Sequence, residues 1–550
     1  MKNNTIDTIT LGIVWDNLIS IADEILLTLV RTSFSITVRE AWDAGVVIFD
    51  ASGRPIAQGS MSTPAFTGTA FYTMEKLLKK FPVEELEDGD VIITNDPWIG
   101  TGHLPDVNIL RPVFRNDRVI GFVLTISHLV DVGGRGASTL SREVFEEGLL
   151  IPPVKIYSAG KINELLIEII KSNVRVPDQV LGDIMGNISG SYVGGQKLLA
   201  LLDQYELDDL QDIADGIISK SAFAIREKIQ AMPDGSYTNQ LNVETDDEKP
   251  ITLACTLKIE NDSIKIDFAG TSPCVAYAIN VPLCYTRSWC AYTLKCLTTP
   301  SIPNNLSNVL PLQVSAPNEC ILNAHYPAAT YGRNTVGWYV VPLLMGAFAK
   351  AIPEAVQAET GMAMTVVFNG QRQNGRKLLD QFFATGGLGG MAGLDGQQTT
   401  PAPTNCALVS SEIWEDETDV AVLSRRILPD SGGAGEFRGG AGQEIIMKNN
   451  TGNPITLALF GSRTTFPAKG YDGGKTGGLR AFKINNETVS AKGVHTLEAG
   501  EEFIVQEAGG GGFGDPKKRC EEKVIEDYRN GFITVDGAKK DYGVEIKVAK

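Results

Sequence analysis

His103 and His128 are two of only four histidines in 550 residues, and each stands three residues ahead of an aspartate, Asp106 and Asp131. They lie in Thr94-Asn-Asp-Pro-Trp-Ile-Gly-Thr-Gly-His103-Leu-Pro-Asp106 and in Ser127-His128-Leu-Val-Asp131-Val-Gly-Gly134. Imidazole and carboxylate are donors that borderline divalent metals accept, and Gly- and Pro-rich segments can aim them at one point. The repeated H-x-x-D spacing therefore reads as a mononuclear metal site. Asp106 is its natural carboxylate ligand. Asp131 is either a fourth ligand or the acceptor that orients a ring N–H. The competing reading makes both histidines hydrogen-bonded structural residues.

The elements that must position these groups follow from periodicity. Leu11, Val14, Leu18, Ile21, Ile25 and Leu29 mark one buried helical face across residues 11–31. Gly45–Asp50 is an apolar run followed by Asp50-Ala-Ser-Gly53 and Pro-Ile-Ala, which predicts strand, turn, strand. A second helix is expected over Thr69–Phe81. Strands are expected over Asp90–Thr94, Asn108–Phe114 and Val119–Ser127, the last two joined by the turn Arg115-Asn-Asp-Arg118. If those two pair as a hairpin, their outer ends bring His103, Asp106 and His128 together. Asp43, between the first helix and an apolar strand, is the most attractive other acid nearby, since burying it unpaired would be costly. An exposed loop acid is the alternative there.

The fold class expected is α+β and multi-domain: an N-terminal α/β metal-binding region, then helical and β-rich parts. The divisions are 1–150 with the metal site, a mainly helical 151–232, a mixed central 233–425, and a glycine-rich β region over 426–550 with a short terminal helix near Glu521–Arg529. Within the central part, residues 234–322 read as strands and 334–352 as an apolar helix. Glycine clusters around 386–396, 432–442 and 509–514 suggest subunit contacts or pocket backbone.

Composition narrows the classes. A net charge of −17 argues against nucleic-acid or anionic-membrane binding, which need a basic footprint. Met1-Lys-Asn-Asn-Thr-Ile-Asp lacks a secretion pattern, and the longest apolar stretch, Trp338 to Ala349, falls short of the ~18 residues of a spanning helix. A cytoplasmic location is expected. The eight cysteines form no C-x-x-C pair and read as buried thiols. Gly474-Lys475-Thr476 resembles the end of a phosphate loop but has Lys469 where that loop requires glycine. Gly387-Leu-Gly389-Gly-Met-Ala392 is followed by a poor helix start, so it is discounted as a dinucleotide motif. No standard ATP loop is present.

The run Asn95-Asp-Pro-Trp-Ile-Gly-Thr-Gly-His103-Leu-Pro-Asp-Val resembles the hydantoinase B/oxoprolinase family, whose pattern is close to N-D-P-Y-x-G-G-T-H-L-P-D-V. Matches continue through Asp131-Val-Gly-Gly134, Asn173-Val-Arg175-Val-Pro177, Gly332-Arg333, Gly435-Glu-Phe-Arg-Gly-Gly440, Gly509-Gly-Gly-Gly-Phe-Gly-Asp-Pro516 and Asp541-Tyr-Gly-Val544. The resemblance covers nearly the whole chain. It implies metal ligands at Asp43, His103, Asp106 and His128, and one divalent zinc, manganese or iron ion. It also implies a hetero-oligomer with a hydantoinase A-type subunit that binds ATP and magnesium and phosphorylates the substrate. Two departures stand near the presumed pocket. Thr63-Pro-Ala-Phe-Thr-Gly68 replaces an H-x-G segment, and Val38-Arg-Glu-Ala-Trp-Asp43 is less basic than the family's K-E-R-x-D, with Trp42 unusual.

Three functions remain in play. The first is a cyclic-amide hydrolase subunit, in which Asp131 orients His128, Arg39 or Arg333 holds anionic oxygens, and Glu40 transfers a proton. The second is a subunit of an ATP-dependent ketone carboxylase using bicarbonate, which Trp42 and Phe66 would suit. The third is a scaffold with a structural metal. Hydrolysis is preferred because hydrolases form the broader part of the family.

Overall fold

Asp7 caps the first helix, Thr8–Thr32, by accepting from the backbone N–H groups of Ile9 and Thr10, and the apolar spacing anticipated over 11–31 is its buried face. The computed structural model describes residues 7–245 and 249–547; the first six residues, read above for a secretion signal, lie outside this range. That helix packs on a seven-stranded antiparallel sheet ordered β2-β1-β5-β4-β3-β6-β7. Its strands are β1 (Ala44–Asp50), β2 (Pro55–Gln58), β3 (Val91–Thr94), β4 (Asp106–Arg115), β5 (Arg118–His128), β6 (Val154–Ser158) and β7 (Lys161–Ile162). Asn116 and Asp117, at φ 51° and 58°, make the tight β4–β5 turn. Positive φ at both central residues matches the right-handed twist of a hairpin.

Both faces of this sheet are covered, which explains why β1 is buried at every position rather than alternating. On one side lie Thr8–Thr32 and the long helix Pro177–Gln204. These two approach so closely that a Cβ at Gly194 would come within 2.3 Å of Ile25 Cδ1. On the other side the helix Pro64–Lys80 packs against Leu283–Thr298. The helical reading of 151 onward misses β6 and β7, which complete this first sheet. The strand reading of 234–322 likewise misses Leu283–Thr298, whose polar and apolar residues mix on every turn because it is buried between neighbours.

The second sheet contains β8 (Gly235–Val243), β9 (Ile251–Glu260), β10 (Ser263–Asp267) and β11 (Leu312–Ser315). The third, ordered β13-β12-β16-β19, uses β12 (Ala363–Gln371), β13 (Lys377–Thr385), β16 (Ile455–Phe460) and β19 (Lys492–Leu497). The fourth comprises β14 (Val420–Ile427), β15 (Gln443–Asn449), β17 (Ala481–Ile484), β18 (Glu487–Thr488) and β20 (Glu502–Gln506). Four sheets with interleaved helices make the chain α+β and multi-domain, as expected. Among the described residues, no helix is long and apolar enough to cross a membrane.

Much of the glycine clusters packs backbone against backbone, although Gly393 and Leu394 are exposed. Gly440 N–H donates to Leu388 O at 2.7 Å, Gly433 N–H to Gly510 O at 2.8 Å and Gly390 N–H to Gly511 O at 2.8 Å. A Cβ at Gly387 would stand 1.8 Å from Gly440 O, so only glycine fits. These segments join the third and fourth sheets into one body.

Candidate metal centre

Three neighbouring strands deliver the acids and one histidine to a single edge of the first sheet. Asp106 opens β4 and sits directly opposite His128, the last residue of β5. Asp43 immediately precedes β1, and its carbonyl accepts the His128 N–H at 3.1 Å. His103 arrives from the loop between β3 and β4, as the hairpin argument required. His103, Asp106 and His128 are buried, and their donor atoms lie within 4.8 Å of one another. Among the described residues this is the one such cluster of His, Cys, Asp or Glu.

Hydrogen bonding fixes the chemistry of His103. Its Nδ1 lies 2.8 Å from Tyr331 O, a carbonyl that can only accept, so Nδ1 carries the proton. Burial, then the nearby Arg333, pulls its pKa down to about 4, which keeps the ring neutral. Nε2 is therefore a bare lone pair. It faces Asp106 Oδ1 at 2.8 Å and has no hydrogen-bond partner. Two electron-rich atoms at that distance need a cation between or beside them. The donor set thus fits a divalent metal, and a carbonyl orienting the far ring nitrogen is the usual support for a metal-bound histidine.

Asp106 is the hub. Burial opposes its ionisation, but the Arg333 guanidinium and the hydrogen bond from His128 hold its carboxyl well below the usual range. Oδ1 accepts from His128 Nδ1 at 2.9 Å, while Oδ2 accepts from Thr101 Oγ1 at 2.5 Å and Arg333 NH2 at 2.6 Å. Arg333 also donates to Thr101 O at 2.6 Å and lies over the Tyr285 ring at 4.2 Å. Asp43 lines the same cavity. Burial raises its carboxyl to about 6, with His128 opposing that rise.

Two buried acids hold the turn that carries Asp43. Asp183 accepts from the N–H of Phe34 at 2.7 Å, and Asp380 accepts from Ile36 N–H at 3.3 Å and Thr37 Oγ1 at 3.1 Å. Burial raises Asp380 from 3.8 to about 7. A folded pKa above the unfolded one means the contribution to stability is full below about pH 4 and is lost as pH rises through about 7. Asp380→Asn, which mimics the neutral form, should flatten the stability-versus-pH profile over that window, an effect of up to ~4 kcal/mol. Thermal unfolding of both proteins from pH 4 to 7 checks this; parallel profiles would refute it.

The cavity beside the metal cluster has a volume of about 50 Å³ and aromatic walls: Phe66, Tyr285, Trp289, Tyr331, Trp338 and Phe460. Gln381, Thr365, Thr404 and Cys406 add polar edges. Of the sequence candidates, Asp43, His103, Asp106, His128, Arg333 and Phe66 meet here. Asp131 does not orient His128. Its carboxylate accepts from Arg175 NH1 at 2.8 Å and Gly133 N–H at 3.0 Å, because the chain leaves β5 and turns away after His128. Arg39 and Glu40 are also elsewhere: Arg39 bonds Glu40 at 2.9 Å and Glu417 at 2.8 Å on a half-buried turn. Trp42 packs among the apolar residues under the first helix and not in the cavity wall. The walls from Tyr285, Trp289, Trp338, Phe383, Cys406 and Phe460 carried no sequence signal, since each reads locally as ordinary core.

The chain is 30% identical to the caprolactamase subunit beta of Pseudomonas jessenii, over 99% of this chain and 97% of that protein. The crystal structure of ATP-dependent caprolactamase from Pseudomonas jessenii superposes with a TM-score of 0.91 at 26% identity, covering 99% and 97% of the two chains. An acetone carboxylase structure shares the fold, with a TM-score of 0.86 at 17% identity over 98% of this chain and 80% of that one. The profile of one family, hydantoinase B/oxoprolinase, matches residues 7–516, and this chain belongs to it.

Proposed function

We propose that this chain is the metal-binding subunit of an ATP-dependent cyclic-amide hydrolase. It would act on a substrate phosphorylated by a hydantoinase A-type ATP-binding partner. The observation that carries the reading is the bare His103 Nε2 held against Asp106 and His128 at the end of an aromatic cavity. End-to-end similarity to a caprolactamase subunit supports the substrate class. Imidazole and carboxylate donors without thiolate suit zinc, manganese or iron. When bound, such an ion supplies Lewis acidity, polarising an acyl oxygen or acidifying a water.

The chain's own residues do the rest. Tyr331 O keeps His103 in the tautomer that leaves Nε2 free. Arg333 balances the charge of Asp106 and is itself aimed by Thr101 O and the Tyr285 face. Asp43, raised to about 6, is ionised at neutral pH and available as a further ligand. The aromatic walls exclude bulk water from the activated ring, and Gln381 and Thr404 offer polar atoms to its edge. Ring opening then adds a water oxygen to the activated carbon and breaks the C–N bond, both protons of that water passing to the ring nitrogen; a second water releases inorganic phosphate from the resulting acyl phosphate and leaves the carboxylate. A ketone-carboxylase reading is favoured by one specific feature, Phe66 in the wall, which makes the cavity less polar.

The test uses the native assembly, purified with its ATP-binding partner and given ATP and magnesium. Caprolactam, a hydantoin and 5-oxoproline are assayed for ring opening, and labelled bicarbonate is followed into acid-stable product with ketones. ATP-coupled ring opening is expected. Fixed label with a ketone and no ring opening would replace this reading with the carboxylase. A folded, active assembly without a stoichiometric divalent ion would end the metal role.

A further inference from the structure

The metal cavity, at about 50 Å³, holds little beyond a few waters, so a ring-sized substrate needs adjoining space. Two other cavities adjoin the elements that form it. One, containing Lys295, lies behind the crossing of helices Pro64–Lys80 and Leu283–Thr298. That crossing is closed: a Cβ at Gly68 would come within 2.1 Å of Ser288 Oγ. The other is a cleft of about 270 Å³ between the loop after His128 and the third sheet.

This second cleft and the metal cavity share one face of the same strands. On β12, Thr365 lines the metal cavity and Val367 lines the cleft; on β16, Phe460 and Ala458 divide in the same way. Pairing makes the connection continuous. Gln381, Val367, Ala458 and Val494 are successive cross-strand partners, so they form a single row on that face. Strands lie about 4.8 Å apart, so the row runs roughly 14 Å from the metal cavity to the surface. Its members keep residual exposure, 8% at Gln381 and 6% at Val367 and Ala458, rising to 47% at Val494. Residues on the opposite face of the sheet, such as Val366 and Leu457, have none.

Tyr331 is the partition between the two spaces. Its ring stacks on Phe460 at 6.0 Å and lies 6.1 Å from the His103 ring. The residue belongs to one buried apolar cluster with Val367, Leu379 and Ala458, which line the cleft.

We infer that substrate reaches the metal cavity through this cleft, along the row Val494–Ala458–Val367–Gln381 and past the Tyr331 ring. The chemistry of the path selects a small molecule with an apolar body and an anionic end. Val367, Ala458 and Leu379 form the neck, while Arg135 and Thr456 stand nearer the solvent. Arg135 is bonded to Glu146 at 2.8 Å in a largely exposed pair. Such pairs are weak, so its guanidinium can exchange that partner for a passing anion. A phosphorylated cyclic amide has these properties, and this choice of substrate rests on the function proposed above.

The route is tested without turnover or metal, which separates its failure from failure of that function. The full chain, stripped of metal with its accompanying subunits retained, is treated with diethyl pyrocarbonate. Modification of His103 is timed by peptide mass spectrometry against exposed His325 as internal reference. Val494→Trp, at a half-exposed edge-strand position that tolerates bulk, and Ala458→Phe should both slow His103 modification several-fold. Asn304→Trp, which fills the Lys295 cavity, should leave the rate unchanged. If Ala458→Phe fails to fold, Val494→Trp alone decides. An unchanged His103 rate in Val494→Trp, or slowing only in Asn304→Trp, would overturn the route. In the active assembly, Val494→Trp should lower kcat/KM and spare kcat.

Discussion

His103→Ala is expected to leave a folded chain that no longer retains a stoichiometric divalent ion and has lost roughly 10³-fold or more of its turnover, the several kcal/mol that Lewis-acid stabilisation supplies. The residue contributes one metal-facing lone pair and one hydrogen bond, to Tyr331 O at 2.8 Å. It supports no other element. Removing it also removes the opposition between Nε2 and Asp106 Oδ1 in the metal-free protein. The variant should therefore melt close to the metal-stripped parent, a few degrees at most away. Asp106→Asn is the instructive contrast, because Arg333 would lose the carboxylate it meets at 2.6 Å in a buried setting. Breaking such a pair from one side destabilises by ~3–5 kcal/mol. Elemental analysis, circular dichroism and ATP-coupled turnover of the two variants test both statements. A His103→Ala chain that unfolds would instead favour the scaffold with a structural metal.

The same H-x-x-D spacing has two different outcomes, and the difference shows what local sequence can and cannot convey. After His103 the chain enters β4, so Asp106 falls in register beside His128 and the site closes. After His128 the chain leaves β5 for a turn through Gly133 and Gly134, both at positive φ, and Asp131 is carried to Arg175. The hairpin itself was readable, since Asn116-Asp117 is strong turn chemistry between two apolar runs. Arg39 and Glu40 could not be placed from sequence, because a four-residue helical turn sets which way each side chain leaves the backbone. The aromatic walls were unreadable for a further reason. Tyr285, Trp338 and Phe460 come from a helix, a turn and a strand that meet only through long-range packing, and each would look the same in an ordinary core. Asp43 stood out as an acid costly to bury, resemblance made it a candidate ligand, and register explains its position: it precedes β1, which pairs along its length with β5.

Glu507→Ala should be the most destabilising single change outside the metal centre. Glu507 and Arg480 are completely buried. Burial raises the Glu507 carboxyl, and Arg480 counters that by donating through Nε at 2.8 Å and NH2 at 2.5 Å. The guanidinium reaches three carbonyls as well: Ser462 at 2.7 Å, Met362 at 2.8 Å and Gly361 at 3.3 Å. Truncating the acid leaves a dry cation among carbonyl oxygens, which costs about 3–5 kcal/mol, whereas replacing both members by apolar residues is often near neutral. Glu507→Ala should thus lower the melting temperature sharply, and Arg480→Met with Glu507→Leu should recover most of the loss. A single variant as stable as the parent would refute the argument. The location of the pair adds a functional consequence. Ser462 follows Phe460 by two residues, and Met362 precedes Thr365 by three, so Arg480 ties together the strand ends that carry two cavity-wall residues. The candidate metal ligands gather at one end of the first sheet instead. Glu507→Ala should therefore raise KM while metal content stays stoichiometric, the reverse of what His103→Ala does.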